Sequence, residues 1–362
     1  MKIIMLMRYL NYSGASKMFL WVAKELAATG NTVTIYVFSN DISRSPETNI
    51  QFINEDLSRK NIITRIKSVR KVIKESDADV SISFLLDANV YNTMACIGLK
   101  TKSIICERSD PYKPRYYKLK IFKPLFRFAN GAVFQLKKVA EYYSNIKGTT
   151  AIIPNPVTIS SNVDLKPFKQ REKQIVTVGR IAIEQKRNDI QIKAFALVHK
   201  KYPDYKLVIY GNSSNNDDKK LRQLIAELKL TDHVIMPGVV DNVQEKIKDS
   251  QIYLITSDYE GIPNSLIEAM VIGLPCISTD CRPGGASLLI QNKENGLLTP
   301  CNDYQAIADK ICWLIEHPLE ADKMGEKAKM IADKFSESII ASMWNKYIEE
   351  VTKTNIHEQS NK

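Results

Sequence analysis

Short apolar runs alternate along the chain with longer segments in which apolar residues recur at helical spacing. The run KIIMLM at 2–7 is almost continuous, and so is TVTIYVF at 32–38. Strands of this kind are typical of parallel sheets covered by helices on both faces. Between them a helix is predicted from Ser16 to Thr29, where Gly30 suits the C-terminal end. Further strands are predicted at ADVSISF (78–84), KSIIC (102–106), GAVF (131–134) and TAIIP (150–154).

The alternation stops at residues 156–172, which are largely polar and contain two prolines, as expected of a linker or hinge. It then restarts, which predicts a second domain. The strands predicted there are QIVTVG (174–179), KLVIYG (206–211), HVIMPG (233–238), IYLITS (252–257), PCISTD (275–280) and GLLTP (296–300). The predicted organisation is an N-terminal domain at 1–155, a C-terminal domain at 173–335, a helix at 336–353 packing back towards the N-terminal domain, and a disordered tail at 354–362.

The predicted fold class is α/β, with two Rossmann-like, doubly wound parallel-sheet domains. A chain of 362 residues is long for a single core, and two domains fit it well. Ligands of open parallel sheets sit beyond the carboxyl ends of the strands. We therefore expect the two domains to face each other across a cleft, with the linker as the hinge.

Composition and charge narrow the class of partner. The hydrophobic share of 44% and the charged share of 25% are those of a soluble globular protein. The net charge of +11 favours phosphorylated ligands, a membrane surface or nucleic acid, and the alternative is a solvated basic surface. Six cysteines show no metal spacing and suit a reducing compartment. We expect a cytoplasmic protein, since MKIIMLMRYL turns polar too early for a signal peptide and no apolar run reaches the roughly 20 residues of a membrane span.

The stretch SDYEGIPNSLIEAMVIGLPCISTD places two glutamates, Glu260 and Glu268, around a predicted helix start. The helix is predicted from Pro263 to Ile272, with Asn264, Ser265 and Glu268 on one face and Leu266, Ile267 and Met270 on the buried face. The first-turn N–H groups near Asn264, Ser265 and Leu266 form a predicted phosphate site. A carboxylate beside a phosphate is useful when it binds a vicinal diol, and a nucleotide-sugar has a diol at each end of its diphosphate. Alternatively, each glutamate is an exposed charge without a role.

A diphosphate also needs cations, and GRIAIEQKRND at 179–189 supplies them. Arg180 follows a predicted strand, and Lys186 lies on the loop before the next helix. Arg187 is predicted to be a solvent-facing charge. No acidic pair suggests a metal site, so none is expected. In the N-terminal domain Gly14 precedes a helix and could let an anion approach the backbone, or could belong to an ordinary turn. The absence of GxGxxG counts against a dinucleotide dehydrogenase.

These segments resemble a GT-B glycosyltransferase of family 4, the group-1 glycosyltransferases. The matching pieces are EGIPNSLIEAMVIGLPCISTD, GRIAIEQKRND, IPNPV at 153–157 and the PGG…NGLL run at 283–298. The resemblance covers the whole C-terminal half, and only the layout and glycine loop of the N-terminal half. It implies transfer of a sugar from a nucleotide-sugar, by resemblance most often a UDP-sugar, with retention of anomeric configuration and without a metal or other cofactor.

The resemblance also implies roles for individual residues. Arg180 and Lys186 would hold the diphosphate, Glu260 the donor sugar and Glu268 the ribose. Retention is usually argued in this family as front-face attack, in which the departing β-phosphate takes the proton of the acceptor. The remaining expected donor-binding residues are Gly14, Gly179, Gly211, Pro237, Gly238, Val239, Gly261, Asn264, Ser265 and Leu266.

The chain departs from the family pattern at two places. Many members have a histidine after the strand that corresponds to Ser103–Cys106, where this chain continues with Glu107 and Arg108. Either residue is a candidate for a catalytic role on the acceptor side. The glycine loop contains Ser13 where a second glycine is common, which weakens the expected phosphate contact at Gly14.

The acceptor is predicted from residues 100–127, which hold nine basic residues against two acidic ones, with aromatic residues interleaved. This composition suits an anionic membrane surface and a lipid-diphosphate-linked saccharide. The hypothesis is a peripheral enzyme of bacterial surface polysaccharide synthesis at the inner face of the membrane. We prefer it to nucleic-acid binding, which would explain neither glutamate. The segment could also be a solvated helix face, and the whole chain could be a nucleotide-sugar epimerase, a phosphorylase or a non-catalytic nucleotide-sugar-binding subunit.

Overall fold

The computed structural model describes residues 1–11, 13–46, 49–108, 110–112, 117–157, 165–213 and 216–353. The chain divides into two compact units. The first comprises Met1–Asn155 and the segment that begins at Glu337, and the second comprises Pro156–Ser336. The predicted tail at 354–362 and the predicted linker residues 158–164 lie outside the described residues.

The first unit is built on a parallel sheet of seven strands in the order β3-β2-β1-β4-β5-β6-β7. Its strands are β1 (Lys2–Met7), β2 (Thr32–Val37), β3 (Gln51–Asn54), β4 (Val80–Phe84), β5 (Lys102–Glu107), β6 (Gly131–Phe134) and β7 (Thr149–Ile152). Its helices are α1 (Gly14–Ala28), α2 (Ile62–Glu75), α3 (Leu86–Cys96), α4 (Tyr117–Phe122), which runs into a 3₁₀ helix (Lys123–Phe128), and α5 (Lys137–Tyr142).

Alternating side chains of β1 assign the helices to the two faces of this sheet. Ile3, Met5 and Met7 join one hydrophobic core with α1 and with the long C-terminal helix Glu337–Lys353. Ile4 points to the other face, and its register partner Ser81 donates to Asn92 of α3 at 2.7 Å. Helix α2 and the 3₁₀ helix both pack against α3. The three therefore form one layer, opposite α1 and the C-terminal helix.

The second unit is built on a parallel sheet of six strands in the order β10-β9-β8-β11-β12-β13. Its strands are β8 (Glu172–Val178), β9 (Lys206–Tyr210), β10 (Val234–Gly238), β11 (Ser250–Ile255), β12 (Cys276–Thr279) and β13 (Leu297–Thr299). A 3₁₀ turn (Phe168–Gln170) precedes the sheet, and the helices are α6 (Ile183–Lys186), α7 (Asn188–Lys201), α8 (Asp217–Glu227), α9 (Val243–Ile247), α10 (Asn264–Val271), α11 (Gly285–Leu289), α12 (Tyr304–Glu316), α13 (Pro318–Lys329) and α14 (Ile331–Phe335). The C-terminal helix of the first unit, Glu337–Lys353, is α15.

Side-chain caps fix where several helices begin. Ser13 accepts the Ser16 N–H at the start of α1, and Asn61 accepts the Thr64 N–H at the start of α2, at 3.3 and 2.9 Å. Asp303 likewise accepts the Ala306 N–H at the start of α12. Each cap satisfies one of the N–H groups that the first turn leaves unpaired. At α1 the cap is Ser13, so the residue that weakens the predicted glycine loop has a structural use.

The prediction of two parallel-sheet α/β domains is confirmed. Strand β3 was not predicted; it has four residues, lies at the sheet edge and has mostly exposed side chains. Phe168 was assigned to the linker, whereas its side chain is 2% exposed and belongs to the core of the second unit. No helix among the described residues is both long enough and apolar enough to cross a bilayer.

Candidate active site

The candidate site lies at the carboxyl ends of β8 and β11, which are neighbours in the second sheet. Strand β8 is the first strand of this sheet along the chain, but in the sheet it lies between β9 and β11. The strand order therefore reverses here. Such a switch point is where open α/β sheets bind ligands. The loop after β8 carries Arg180 and Lys186, and the loop after β11 carries Glu260.

Lys186 and Glu260 form an ion pair. The side chains are 18% and 13% exposed, so the pair is largely shielded from water. Ser257 donates a second hydrogen bond to the same carboxylate oxygen, at 2.9 Å. A shielded ion pair with an extra donor holds both charges at a fixed position. The sequence assigned Lys186 to the diphosphate and Glu260 to the donor sugar of one ligand, and the structure brings the two side chains into direct contact.

Several hydrogen bonds join the two loops that carry this pair. Arg187 donates to Asp189 at 3.1 Å and, across the loops, to Asp258 at 3.0 Å. Thr256 is fully buried and donates to the backbone carbonyls of Lys186 and Arg187, at 2.8 and 3.1 Å. The prediction that Arg187 is a solvent-facing charge is therefore wrong: its side chain is 21% exposed and bound by two carboxylates.

Arg187 also has an unusual backbone conformation. Its backbone is left-handed, with φ 52° and ψ 46°, which is unfavourable for a residue with a Cβ. Hydrogen bonding to Asp189, more than the charge of Asp258, raises the pKa of the guanidinium, so the cation is strongly held. The turn at Arg187 ends α6 just after Lys186 and thus sets the direction of that side chain.

Arg180 differs from Lys186 in its surroundings. Its side chain is exposed, and Nη2 donates to the amide oxygen of Gln185 at 2.9 Å. A guanidinium that is exposed and has a neutral partner retains N–H donors with which it can bind an anion, without first breaking an ion pair. Arg180 and Lys186 line the same small pocket, together with Gly179.

Three of the predicted glycines lie side by side at strand ends. Gly211 donates its N–H to the carbonyl of Gly238 at 2.8 Å, and Gly179 donates to Tyr210 at 2.9 Å. A Cβ on Gly211 would lie 1.9 Å from the carbonyl oxygen of Gly179. The backbones that follow β8 and β9 therefore approach closely beside Arg180. Only a glycine at position 211 allows this approach. The neighbouring Pro237 ends β10 with Gly238, and Val239 is 66% exposed.

Helix α10 begins one residue later than predicted, at Asn264, with Pro263 as the N-cap. Among the described residues no side chain caps this start. Asn264, Ser265 and Glu268 lie on the half-exposed face, while Leu266, Ile267 and Met270 are buried, as the sequence predicted. The Leu266 N–H donates to the carbonyl of Pro263 at 3.1 Å. The phosphate site at this helix start stays a prediction.

Comparisons with known proteins agree with this geometry. Residues 162–330 match the family model described as glycosyl transferases group 1. Residues 162–330 are a group-1 glycosyltransferase domain, and the chain shares its fold with solved glycosyltransferases.

Two curated relatives and one solved structure illustrate the similarity. The chain is 32% identical over 254 residues to an uncharacterized glycosyltransferase of Methanocaldococcus jannaschii, a match that spans 63% of this chain and 62% of that relative. It is 27% identical over 368 residues to the GalNAc-alpha-(1->4)-GalNAc-alpha-(1->3)-diNAcBac-PP-undecaprenol alpha-1,4-N-acetyl-D-galactosaminyltransferase of Campylobacter jejuni, covering 97% of this chain and 99% of the relative. Anabaena HepE in complex with UDP shares the fold, with TM-score 0.79, 18% identity and coverage of 97% and 100%.

A buried polar network below Lys186 of this glycosyltransferase was not predicted from the sequence. Asn188 accepts the Ala182 N–H and donates to Gln191, which in turn donates to Thr177, at 3.1, 3.0 and 3.1 Å. All three side chains are nearly inaccessible. The network fixes both ends of the turn that carries Lys186. The only signal in the sequence would have been polar residues at buried positions near a helix start. Asn188 and Gln191 give no such signal, because their burial is not visible in the sequence.

Three further residues near the glutamates were also missed. Gly285 must be a glycine, because a Cβ there would lie 1.7 Å from the carbonyl oxygen of Gly261. Cys281 lies beside Glu260, and burial raises the pKa of its thiol to about 12, so it is an inert neighbour. Tyr253 is fully buried beneath Ser265, and burial strongly raises the pKa of its phenol.

In the N-terminal unit of the glycosyltransferase, Glu107 is buried and Arg108 is half-buried. Glu107 is 1% exposed and accepts hydrogen bonds from the Arg108 N–H at 3.0 Å and from Tyr143 at 3.3 Å. Arg108 donates to Asn155 at 3.0 Å, and its guanidinium lies 5.1 Å from the centre of the Phe84 ring. Burial lowers the pKa of Arg108. Their catalytic role on the acceptor side stays a prediction.

Two other predictions from the sequence concern Gly14 and a metal site. Gly14 is the exposed first residue of α1 and does not adopt a positive φ. Its predicted donor contact also stays a prediction. Within the described part of the chain, no group of three or more His, Cys, Asp or Glu side chains could hold a metal ion.

Proposed function

We propose that this glycosyltransferase transfers a sugar from a nucleotide-sugar, with UDP as the carrier, to a lipid-linked saccharide in bacterial surface polysaccharide synthesis. We further propose a family-4 enzyme that retains anomeric configuration and needs no metal. The observation that carries the proposal is the pairing of Lys186 with Glu260 at a switch point beside Arg180. UDP is suggested by the Anabaena complex, and the acceptor class by the undecaprenol-linked substrate in the name of the Campylobacter relative.

The donor is proposed to replace the internal ion pair. Its diphosphate offers Lys186 a partner with more charge than one carboxylate, and Arg180 supplies a second cation from an exposed position. Glu260 is then released to accept hydrogen bonds from hydroxyls of the donor sugar. Glu268, on the half-exposed face of α10, is proposed to accept hydrogen bonds from the ribose diol. The start of α10 between them adds N–H groups and a favourable helix dipole for the phosphates.

The proposed reaction is a front-face displacement. The acceptor hydroxyl oxygen bonds to the anomeric carbon on the side from which the diphosphate departs. The bond between the anomeric carbon and the phosphate oxygen breaks, and that oxygen takes the hydroxyl proton. Lys186 and Arg180 stabilise the charge that develops on the leaving diphosphate. No protein nucleophile is required, and the configuration is retained.

The acceptor side is proposed to lie at the inner face of an anionic membrane. A lipid-diphosphate-linked saccharide is confined to that surface, so an enzyme that uses it gains from binding there. The basic and aromatic segment 100–127 is the feature that motivates this part of the proposal. Its residues 109 and 113–116 lie outside the described residues.

A panel of nucleotide-sugars tests the proposal. Each is incubated with the purified chain in EDTA, and both thermal stabilisation and release of free nucleotide are measured. We expect one donor to stabilise the protein and to turn over, and Lys186→Ala to abolish most of the turnover. Lys248→Ala is the matched control, since Lys248 also pairs with a glutamate, Glu245, on the surface of the same unit.

Either of two results would contradict the proposal. If no nucleotide-sugar binds the folded protein, the donor-site assignment fails. If one binds without turnover, with or without a lipid-linked acceptor, the chain is a nucleotide-sugar-binding subunit. For a donor that turns over, NMR of the product distinguishes retention from inversion.

A further inference from the structure

The two helical layers of the N-terminal unit differ sharply in charge. Among the described side chains, helices α2, α3, α4 and the adjoining 3₁₀ helix carry eight basic and two acidic residues, whereas α1 and α15 on the opposite face carry four of each. The positive charge of this unit is therefore concentrated on one side of its sheet. A one-sided field of this kind attracts an extended anionic partner.

Helix α2, which lies outside the segment 100–127, contributes most of that charge. Residues 59–74 contain seven basic residues and no acidic one. In α2 only Val69 and Ile73 are buried, while Ile62 and Ile63 in its first turn are 40% and 64% exposed. The helix thus presents two isoleucines to solvent next to Arg59 and Lys60. Exposed apolar side chains beside basic ones are typical of a helix that lies in a membrane interface.

The basic residues of the segment 59–74 include two that fasten α2 to the fold and two that do not. Arg65 and Arg70 fasten the helix to its surroundings: Arg65 donates to Tyr91 at 3.0 Å, and Arg70 donates to the carbonyl of Ala95 at 2.6 Å. Lys60 and Lys67 are exposed and form no ion pair with any of the described residues. Their charge is unpaired within the described part of the fold, so it is available to a partner.

A second stripe of the same character lies on the other side of α3. Ile121 and Phe128 are 65% and 52% exposed, and Lys120 and Arg127 beside them are also exposed. The 3₁₀ helix that bears Phe128 packs against α3, as α2 does. Two basic, apolar stripes therefore flank one buried helix in a single layer. A flat, extended partner could contact both at once.

We propose that this layer docks on an anionic lipid bilayer, with Ile62 and Ile63 entering the interface and Lys60 and Lys67 binding lipid headgroups. The inference rests on the proposed lipid-linked acceptor, which would be held in the same surface, and adds α2 to the segment 100–127. A bilayer accepts both the charges and the isoleucines. A nucleic acid would use the lysines and leave the isoleucines in water.

Sedimentation with lipid vesicles tests the docking surface without donor or acceptor. Vesicles contain phosphatidylcholine alone or mixed with phosphatidylglycerol. We expect the wild type to bind only the mixed vesicles. Lys60→Ser with Lys67→Ser should weaken that binding about 25-fold, at roughly fivefold per lysine. Lys346→Ser with Lys353→Ser, on the opposite layer, is the matched control and should bind like the wild type.

The insertion of Ile62 and Ile63 into the membrane interface is tested separately. Ile62→Ser with Ile63→Ser should bind at low salt and release at a salt concentration that the wild type withstands, because only the charge term is screened. Wild-type salt resistance in this variant would overturn the insertion. Equal loss in the Lys346 and Lys353 control, or binding of duplex DNA or RNA in place of vesicles, would overturn the docking surface. Nucleotide release in solution should be unchanged in every variant. A wild-type chain that binds vesicles but turns over no donor would contradict the proposed function without contradicting the docking surface.

Discussion

Replacing Gly211 by alanine should damage the donor site with a predictable magnitude. The new Cβ would lie 1.9 Å from the carbonyl oxygen of Gly179, where real Cβ contacts are essentially never below 3.0 Å, so one backbone must retreat by about 1.1 Å. Gly179 adjoins Arg180 and lines the same pocket as Lys186. A misplacement of about 1 Å at a reacting group can cost about 100-fold in rate. We therefore expect kcat/KM for the donor to fall about 100-fold, or about 2.7 kcal/mol of transition-state binding.

A matched variant separates the clash from the cost of the backbone conformation. Gly30 also has a positive φ, of +85°, but a Cβ there meets nothing within 4 Å. Gly30→Ala should lose about 1–2 kcal/mol of stability and keep its activity. Initial rates of nucleotide release, with thermal unfolding alongside, measure both quantities. Wild-type kcat/KM in folded Gly211→Ala, or an equal loss in Gly30→Ala, would show that the close backbone approach at Gly211 does not control the donor site.

Three other predictions follow from the same geometry. Lys186→Ala and Glu260→Ala should each lower kcat/KM by more than about tenfold, or roughly 1.4 kcal/mol, and full activity in both would show that the donor site is misassigned. Glu268→Ala should chiefly raise the donor KM, since it is expected to bind the ribose; a fall in kcat at constant KM would contradict that role. Burial, and then the neighbouring His233, lower the pKa of His199, so the unfolded chain binds more protons than the folded one as pH falls below about 6.5. Stability should therefore decrease on acidification, and His199→Gln should flatten the dependence of the melting temperature on pH.

The sequence predicted those parts of the fold that depend on local pattern. Buried parallel strands read as short apolar runs, and all of the predicted ones are present. The edge strand β3 escaped because its side chains face solvent and carry no apolar signal. Phe168 was misassigned because a single apolar residue between prolines and charges gives no periodicity, although it is part of the core of the second unit.

The sequence also identified the charged residues of the candidate site but not how they are held. Lys186 and Glu260 are 74 positions apart, and their contact depends on β8 and β11 being neighbours. Arg187 was misjudged for the same reason, since its partner Asp258 is 71 positions away. Gly285 was overlooked because its need for a glycine comes from the carbonyl of Gly261, on a different loop. In each case the missing information is a tertiary contact.

The binding of UDP in EDTA shows whether Lys186 is a ligand of the donor diphosphate. Isothermal titration of the wild type and of Lys186→Ala compares the affinity with and without the proposed diphosphate ligand. We expect the wild type to bind UDP without a metal and the variant to bind at least about tenfold more weakly, because a charge-assisted contact to a phosphate is lost. Equal affinity in the two proteins, or no binding of UDP by the wild type, would contradict the account.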